Sequence, residues 1–192
     1  MKKNALTLFG GLLLPNLVLA HDMLQSGGFM SGLSHPVLGF DHLLAMICVG
    51  ILSAQMGGRA IWLVPSTFMS VMLLGGVLGM QGIALFSVEL GIAFSVFALG
   101  VALAADKRFP SGLAMMLVGF FAVFHGHAHG TEMPRLATPM LYALGFVAGT
   151  AGIHIAGVLI GLFSKKTQHG APLLRYLGAG IAGLGFYLVI NS

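Results

Sequence analysis

Charged residues are scarce in this sequence, where lysine, arginine, aspartate and glutamate together make up 7% of 192 residues. Soluble globular domains carry about 25% charged residues, so this composition excludes a water-soluble fold. The chain has one cysteine, Cys48, which excludes an intramolecular disulfide. Its nine lysines and arginines are scattered over short loops and form no patch, which argues against a nucleic-acid partner.

Long apolar segments are abundant instead. Runs of about 20 apolar residues recur, and each is long enough to cross the hydrocarbon core of a lipid bilayer. A backbone in lipid must satisfy its own hydrogen bonds, so we expect these runs to be helices. The sequence predicts an all-α protein, a polytopic membrane helical bundle with six transmembrane helices. The predicted spans cover residues 37–56, 60–80, 88–105, 112–130, 136–163 and 172–190.

The N-terminal segment has the organisation of a secretory signal peptide. Lys2 and Lys3 form a basic region, an apolar region follows, and small or modest-sized residues lead up to Ala20. We predict cleavage after Ala20, which leaves a signal peptide of residues 1–20 and a six-helix transmembrane domain of residues 21–192. The alternative is an uncleaved first helix, but the short apolar core and its proline argue against it.

Basic residues are distributed unevenly between the two sides of the predicted bundle. With residue 21 outside the cytoplasm, the outer loops hold only Arg135. The cytoplasmic loops and their borders hold Arg59, Lys107, Arg108, Lys165, Lys166 and Arg175. This asymmetry is typical of the positive-inside rule. We therefore expect a bacterial inner-membrane protein whose mature N-terminus is periplasmic.

The first group of polar residues lies in the segment HPVLGFDH, which contains His35, Asp41 and His42. Ionisable groups within spans are costly, so they are candidates for function. Pro36 suits the first turn of a helix, and we expect His35 at the helix cap. Residues 35 and 42 then share one helix face. Asp41 could bind a metal directly or orient an imidazole as a hydrogen-bond acceptor.

The second group lies in the segment FHGHAHGTE. In a helix His125, His129 and Glu132 face the same way, because they are spaced at i, i+4 and i+7. His127 points elsewhere unless an adjacent glycine unwinds the segment. Imidazole and carboxylate ligands suit borderline divalent ions such as nickel, cobalt, zinc or iron.

Other polar or aromatic residues each allow two interpretations. Glu89 opens the third span as a helix-entry acid or as a cation-attracting carboxylate. After cleavage His21 could chelate metal at the outer mouth, or belong to a disordered terminus. His154, within the fifth span, is either a ligand or a residue hydrogen-bonded to a neighbour. We expect Phe68 to pack in the core.

Together these features resemble the HupE/UreJ family of hydrogenase- and urease-associated nickel/cobalt permeases. The resemblance rests on the signal peptide, the six spans, HPVLGFDH at the start of the first mature helix and FHGHAHGTE at the end of the fourth. It covers essentially the whole mature chain. It implies a link to metal supply for hydrogenase or urease maturation. It also implies family site residues at His35, Asp41, His42, Glu89, His129 and Glu132.

The residues and the resemblance predict a secondary importer of Ni²⁺ or Co²⁺ that uses a site between the first, third and fourth spans. No phosphate-binding loop of the GxxxxGK[ST] type is present, so ATP is not expected to drive transport. The metal is the substrate, and neither enzymatic activity nor a resident cofactor is expected. The alternative is a membrane-embedded metal-dependent hydrolase or oxidase with the same ligands. The expected metal ligands are His21, His35, Asp41, His42, Glu89, His125, His129 and Glu132.

Overall fold

The structure, a computed structural model, describes residues 28–107, 109–133 and 138–192. Within these ranges the chain forms seven helices and no strand, which confirms the all-helical prediction. The predicted signal peptide and His21 lie outside the described residues. The helices are α1 (Phe29–Leu38), α2 (Phe40–Met56), α3 (Ala60–Met80), α4 (Val88–Ala105), α5 (Ser111–Thr131), α6 (Pro139–Ser164) and α7 (Gly170–Ile190).

Five of these helices, α3 to α7, are long and apolar enough to cross a membrane. Their bounds lie within three residues of the predicted spans. The bent pair of α1 and α2 would supply a sixth span if the two helices are counted as one. Outward-facing positions carry exposed apolar side chains such as Leu74, Met116 and Phe120. These surfaces suit contact with lipid, as expected of a multi-pass membrane protein.

The first predicted span is wrong in its shape. We expected one helix over 37–56 with Pro36 in its first turn and His35 at its cap. Instead α1 ends at Leu38, α2 begins at Phe40, and the two helices meet at an angle of 85°. Gly39 joins them in an extended conformation, with φ −81° and ψ 107°. Pro36 therefore lies near the end of a helix, and His35 precedes the bend.

The helices pack in pairs wherever glycine lets two backbones touch. On α5, Gly126 lies against the backbone of Met72 on α3. Gly178 on α7 lies against the backbone of Ala104 on α4, and Gly157 on α6 lies against the backbone of α2. In lipid, small residues at such interfaces allow the close van der Waals packing that holds helices together.

The ends of the helices form two chemically different surfaces. At one of them, here called the basic end, the Lys165 ammonium donates to the Ala54 carbonyl oxygen at 2.6 Å. The side-chain amide of Gln55 donates to Asp106 at 3.1 Å beside it. These side chains and Lys107 line a cavity of about 260 Å³. The two histidine-rich segments lie toward the opposite surface, here called the histidine end.

Replacement of Gly126 should test the contact between α3 and α5. A Cβ atom at this position would collide with the Met72 carbonyl oxygen, which belongs to a helix backbone and cannot move aside. We expect Gly126→Ala to lower the free energy of unfolding by about 1–3 kcal/mol. Thermal unfolding in detergent, followed by circular dichroism, measures the effect. Gly112→Ala on the same helix is the control, because no atom lies within 4 Å of its Cβ position.

Candidate metal centre

A cavity of about 280 Å³ opens at the histidine end. It collects side chains from α1, α2, α4 and the end of α5. Six of the eight predicted ligands line it, together with Leu38 and Gly39. The six are His35, Asp41, His42, Glu89, His129 and Glu132. The structure thus brings the two sequence motifs and Glu89 into one space, although they lie far apart along the chain.

The outer part of the cavity is formed by His35 and Glu132. The His35 Nε2–H donates to Glu132 Oε2 at 3.1 Å, and this hydrogen bond lowers the pKa of the Glu132 carboxyl group. One ligand atom each from His35, His129 and Glu132 lies within 4.8 Å of the other two. Small inward movements of these side chains would therefore let three protein atoms contact a single ion.

The bend at Gly39 places Asp41 directly beside His42. Asp41 Oδ1 accepts hydrogen bonds from the His42 backbone N–H at 2.7 Å and from its Nδ1–H at 2.8 Å. The proton on Nδ1 leaves a lone pair on Nε2, which is buried without a hydrogen-bond partner among the described residues. This hydrogen bond gives Asp41 the geometry of the second of its two predicted roles, the acceptor that orients an imidazole. A Cβ atom on Gly39 would lie 3.2 Å from His42 Nδ1, so a larger residue would crowd this pair.

His129 occupies the centre of the imidazole cluster. Its ring centroid lies 4.8 Å from that of His35 and 4.3 Å from that of His42. The Phe146 ring on α6 covers it at 4.3 Å. Both ring nitrogens of His129 are buried, and neither has a hydrogen-bond partner in the part of the chain that is described. The ring is therefore held by aromatic contacts and keeps its nitrogens available.

His125 lies one turn below His129, behind the cavity. Its ring centroid is 4.6 Å from that of His42. The Ser95 hydroxyl donates to the Ile92 carbonyl oxygen at 2.6 Å, so Ser95 Oγ must accept the His125 Nε2–H at 2.8 Å. The lone pair of His125 is then on Nδ1, and this atom has no partner within the described ranges. His125 extends the cluster inward but does not line the cavity.

The remaining histidine of the second motif has a different role. Helix α5 runs without interruption through Thr131, so its glycines do not unwind the segment. His127 consequently points away from the cavity, and its Nε2–H donates to the Ile83 carbonyl oxygen at 2.7 Å. This bond attaches the connection between α3 and α4 to the helix that carries His129.

Three side chains at the site were not predicted from the sequence. Ser95 sets the tautomer of His125, while Tyr142 and Phe146 of α6 pack on the rings of His35 and His129. Ser95 could have been singled out from the sequence, because it is a polar residue within an apolar span. The two aromatic residues look like ordinary core residues in the sequence, and only the packing of α6 identifies them. The site therefore involves more helices than the three predicted.

The tautomer of His42 can be tested directly. With Asp41 as acceptor, we expect nitrogen-15 solid-state NMR of histidine-labelled protein to show His42 protonated on Nδ1. In Asp41→Ala this preference should disappear, because the carboxylate that accepts the Nδ1–H has been removed. Asp106→Ala changes a carboxylate at the basic end and should leave the histidine signals unchanged. A His42 ring protonated on Nε2 in the wild-type protein would contradict the geometry.

Comparison with known proteins shows the family to which the chain belongs. The family model described as HupE / UreJ protein matches residues 8–188. Protein HupE of Rhizobium leguminosarum bv. viciae is 42% identical over 186 residues, which cover 96% of each chain. No solved structure matches the chain significantly. The family match covers both histidine segments and all but the last two residues of the seven described helices, and the chain belongs to the HupE/UreJ family.

Proposed function

We propose that this protein is a secondary importer that carries Ni²⁺ or Co²⁺ from the periplasm to the cytoplasm. The observation that supports it is the cavity at the histidine end, where imidazoles and carboxylates from separate helices converge. A membrane-embedded position is costly for such groups unless they serve an ion or one another. In this proposal the metal ion is a substrate that the cavity binds from the outer side and then releases inward.

The chemistry of the cavity suits a divalent transition metal. The carboxylates of Asp41, Glu89 and Glu132 lower the cost of bringing a doubly charged cation out of water. The imidazole nitrogens favour borderline metals over Mg²⁺ and Ca²⁺, which prefer all-oxygen surroundings. In this interpretation Glu89 attracts cations and does more than begin a helix, because it shares a cavity with the two motifs.

The proposed orientation has the histidine end in the periplasm and the basic end in the cytoplasm of an inner membrane. Lys107 and Lys165 lie at the basic end, as the positive-inside rule requires for this orientation. Electrical potential alone would then favour inward movement. At 100 mV, negative inside, a divalent cation gains about 4.6 kcal/mol, twice the value for a single charge.

Family membership supports a role in metal supply. The HupE/UreJ family is associated with nickel and cobalt uptake or with accessory functions, and it is not a known enzyme class. The family is also linked to nickel handling for hydrogenase and urease. We therefore place the protein upstream of hydrogenase or urease maturation, as a source of cytoplasmic metal.

Uptake of radioactive nickel and cobalt into proteoliposomes tests the proposal. We expect His42→Ala to reduce the initial rate about tenfold or more, because loss of one buried ligand weakens a metal site by at least that factor. His169→Ala is the matched control, since His169 is exposed at the start of α7, away from the cavity. It should retain the wild-type rate.

The same vesicles give the outcome that would reject the proposal. Protein-free liposomes set the background rate of leakage. If wild-type protein fails to raise metal uptake above this background, or if His42→Ala loads metal as fast as wild type, the cavity is not a transport site. Competition by unlabelled Ni²⁺, Co²⁺ and Zn²⁺ identifies the preferred ion.

Uptake should also decline in acid. Metal binding requires neutral imidazoles, because a protonated ring has no free lone pair, so uptake should weaken below about pH 6. Glu132 does not cause this decline, because its hydrogen bond to His35 keeps its pKa below the usual value and the carboxylate ionised. We expect Glu132→Gln to lower the rate without moving the midpoint. A midpoint that shifts in Glu132→Gln would instead show that this carboxyl group contributes to the decline.

A further inference from the structure

One face of α6 carries a line of buried side chains that leads inward from the cavity. Tyr142, Phe146, Thr150 and His154 follow one another at intervals of four residues, so they lie along one side of the helix. Tyr142 and Phe146 contact the histidine cluster. Thr150 and His154 lie deeper, with relative exposures of 0% and 2%.

The polar side-chain atoms of the two deeper residues are unpaired in the part of the chain that the structure describes. Thr150 Oγ1 and both ring nitrogens of His154 are buried without a hydrogen-bond partner among the residues that the structure describes. Buried polar groups are normally hydrogen-bonded, and unpaired ones reduce stability. Among the described residues His154 therefore lacks the hydrogen bond that one of its two interpretations expected.

Phe68 lies between His154 and the outer cluster. Its ring centroid is 5.5 Å from that of His125 and 5.4 Å from that of His154, and both contacts are edge-on. Phe68 is fully buried, as expected of a core residue. Ring contacts thus connect His129 to His42 and His42 to His125. The Phe68 ring then contacts both His125 and His154.

The depth of His154 in the bundle and the space beside it also suit a bound ion. The residue precedes the end of α6 at Ser164 by ten positions, about 15 Å along the helix, so it lies beyond the midpoint from the histidine end. A cavity of about 110 Å³ between α3 and α6 adjoins it. Ile61 and Pro65 of α3 line the same cavity.

We propose that His154 and Thr150 form a second, inner binding site for the transported divalent cation, separated from the outer cavity by the Phe68 ring. The inference rests on the proposed transport function and assigns a location to the ion after it leaves the outer ligands. An imidazole nitrogen and a hydroxyl oxygen are weak enough together to release the ion toward the basic end. Neither group has a hydrogen-bond partner within the described ranges, so both can contact the ion.

Thr150 offers the sharpest test, because valine has nearly the same shape without the hydroxyl group. Replacing an unpaired buried hydroxyl by a methyl group of the same shape should leave stability unchanged or raise it. We expect Thr150→Val to keep or increase the melting temperature while reducing cobalt uptake about tenfold. Thr150→Ser retains the hydroxyl and should retain most of the uptake. If wild type and Thr150→Val take up cobalt at the same rate, Thr150 is not part of the site.

A cysteine at position 154 reports metal at that place. In purified His154→Cys incubated with Co²⁺, we expect a thiolate-to-cobalt charge-transfer absorption band, because thiolates bind such ions strongly. Wild type, with Cys48 alone, gives the baseline. Leu159→Cys is the matched control, because residue 159 is exposed on the outer surface of α6, does not line this cavity and should give no band. Absence of a band in His154→Cys overturns the inner site.

The two proposals fail in different ways. If wild-type protein does not raise cobalt uptake above background, the transport proposal is rejected. The charge-transfer band then still decides whether cobalt binds at position 154. If wild-type protein and His154→Ala transport cobalt at the same rate, the inner site is rejected and the outer cavity remains the transport site. We expect His154→Ala to bind Co²⁺ at the outer cavity within about twofold of the wild-type affinity and to lose about tenfold or more in uptake rate.

Discussion

Direct backbone contact between helices is the interaction on which this structure depends. Lipid offers helices no hydrophobic reason to associate, so van der Waals contact must hold the bundle together. Glycines such as Gly126, Gly157 and Gly178 permit this contact between α5 and α3, α6 and α2, and α7 and α4. The pairs then enclose a space in which imidazoles and carboxylates are shielded from lipid. A bulkier interface would open that space to hydrocarbon, where the same polar groups would be destabilising.

Within the enclosed space, protein acceptors determine which imidazole nitrogens remain free. Asp41 accepts the Nδ1–H of His42, and Ser95 accepts the Nε2–H of His125. The neighbouring rings therefore have opposite tautomers and free lone pairs on different atoms. Such outer hydrogen bonds are common around metal-binding histidines, because they fix the ring and raise its basicity. His129 has no such acceptor among the described residues and is held by ring contacts alone.

Much of the fold was predictable, since helices α3 to α7 are long uninterrupted apolar runs with charged or glycine-containing separators. The bend at Gly39 was not, because one extended residue interrupts a helix without changing the composition around it. His35 and His42 still reach the same cavity, although they do so across an 85° bend instead of along one helix face. The prediction was right about their convergence and wrong about its cause.

The second motif was predicted more accurately because α5 is regular. Helical spacing correctly placed His125 and His129 on the same side and His127 on another. Contributions from other helices could not be predicted in this way. Nothing in the local sequence of Ser95 or Phe146 indicates which histidine it will contact, since that depends on how distant helices pack. Spacing thus identifies candidate ligands within one helix, whereas the groups that hold them in place come from tertiary structure.

The bond between His127 and the Ile83 carbonyl oxygen has a mechanical consequence for α5. A helix that contacts its neighbours mainly through small residues can turn about its own axis more easily than one with interlocking side chains. One hydrogen bond to a fixed oxygen on a neighbouring connection opposes that turning. Because successive residues are about 100° apart around the axis, a modest rotation would swing His129 away from His42. The histidine that faces away from the cavity therefore helps to fix the angle at which His129 faces into it.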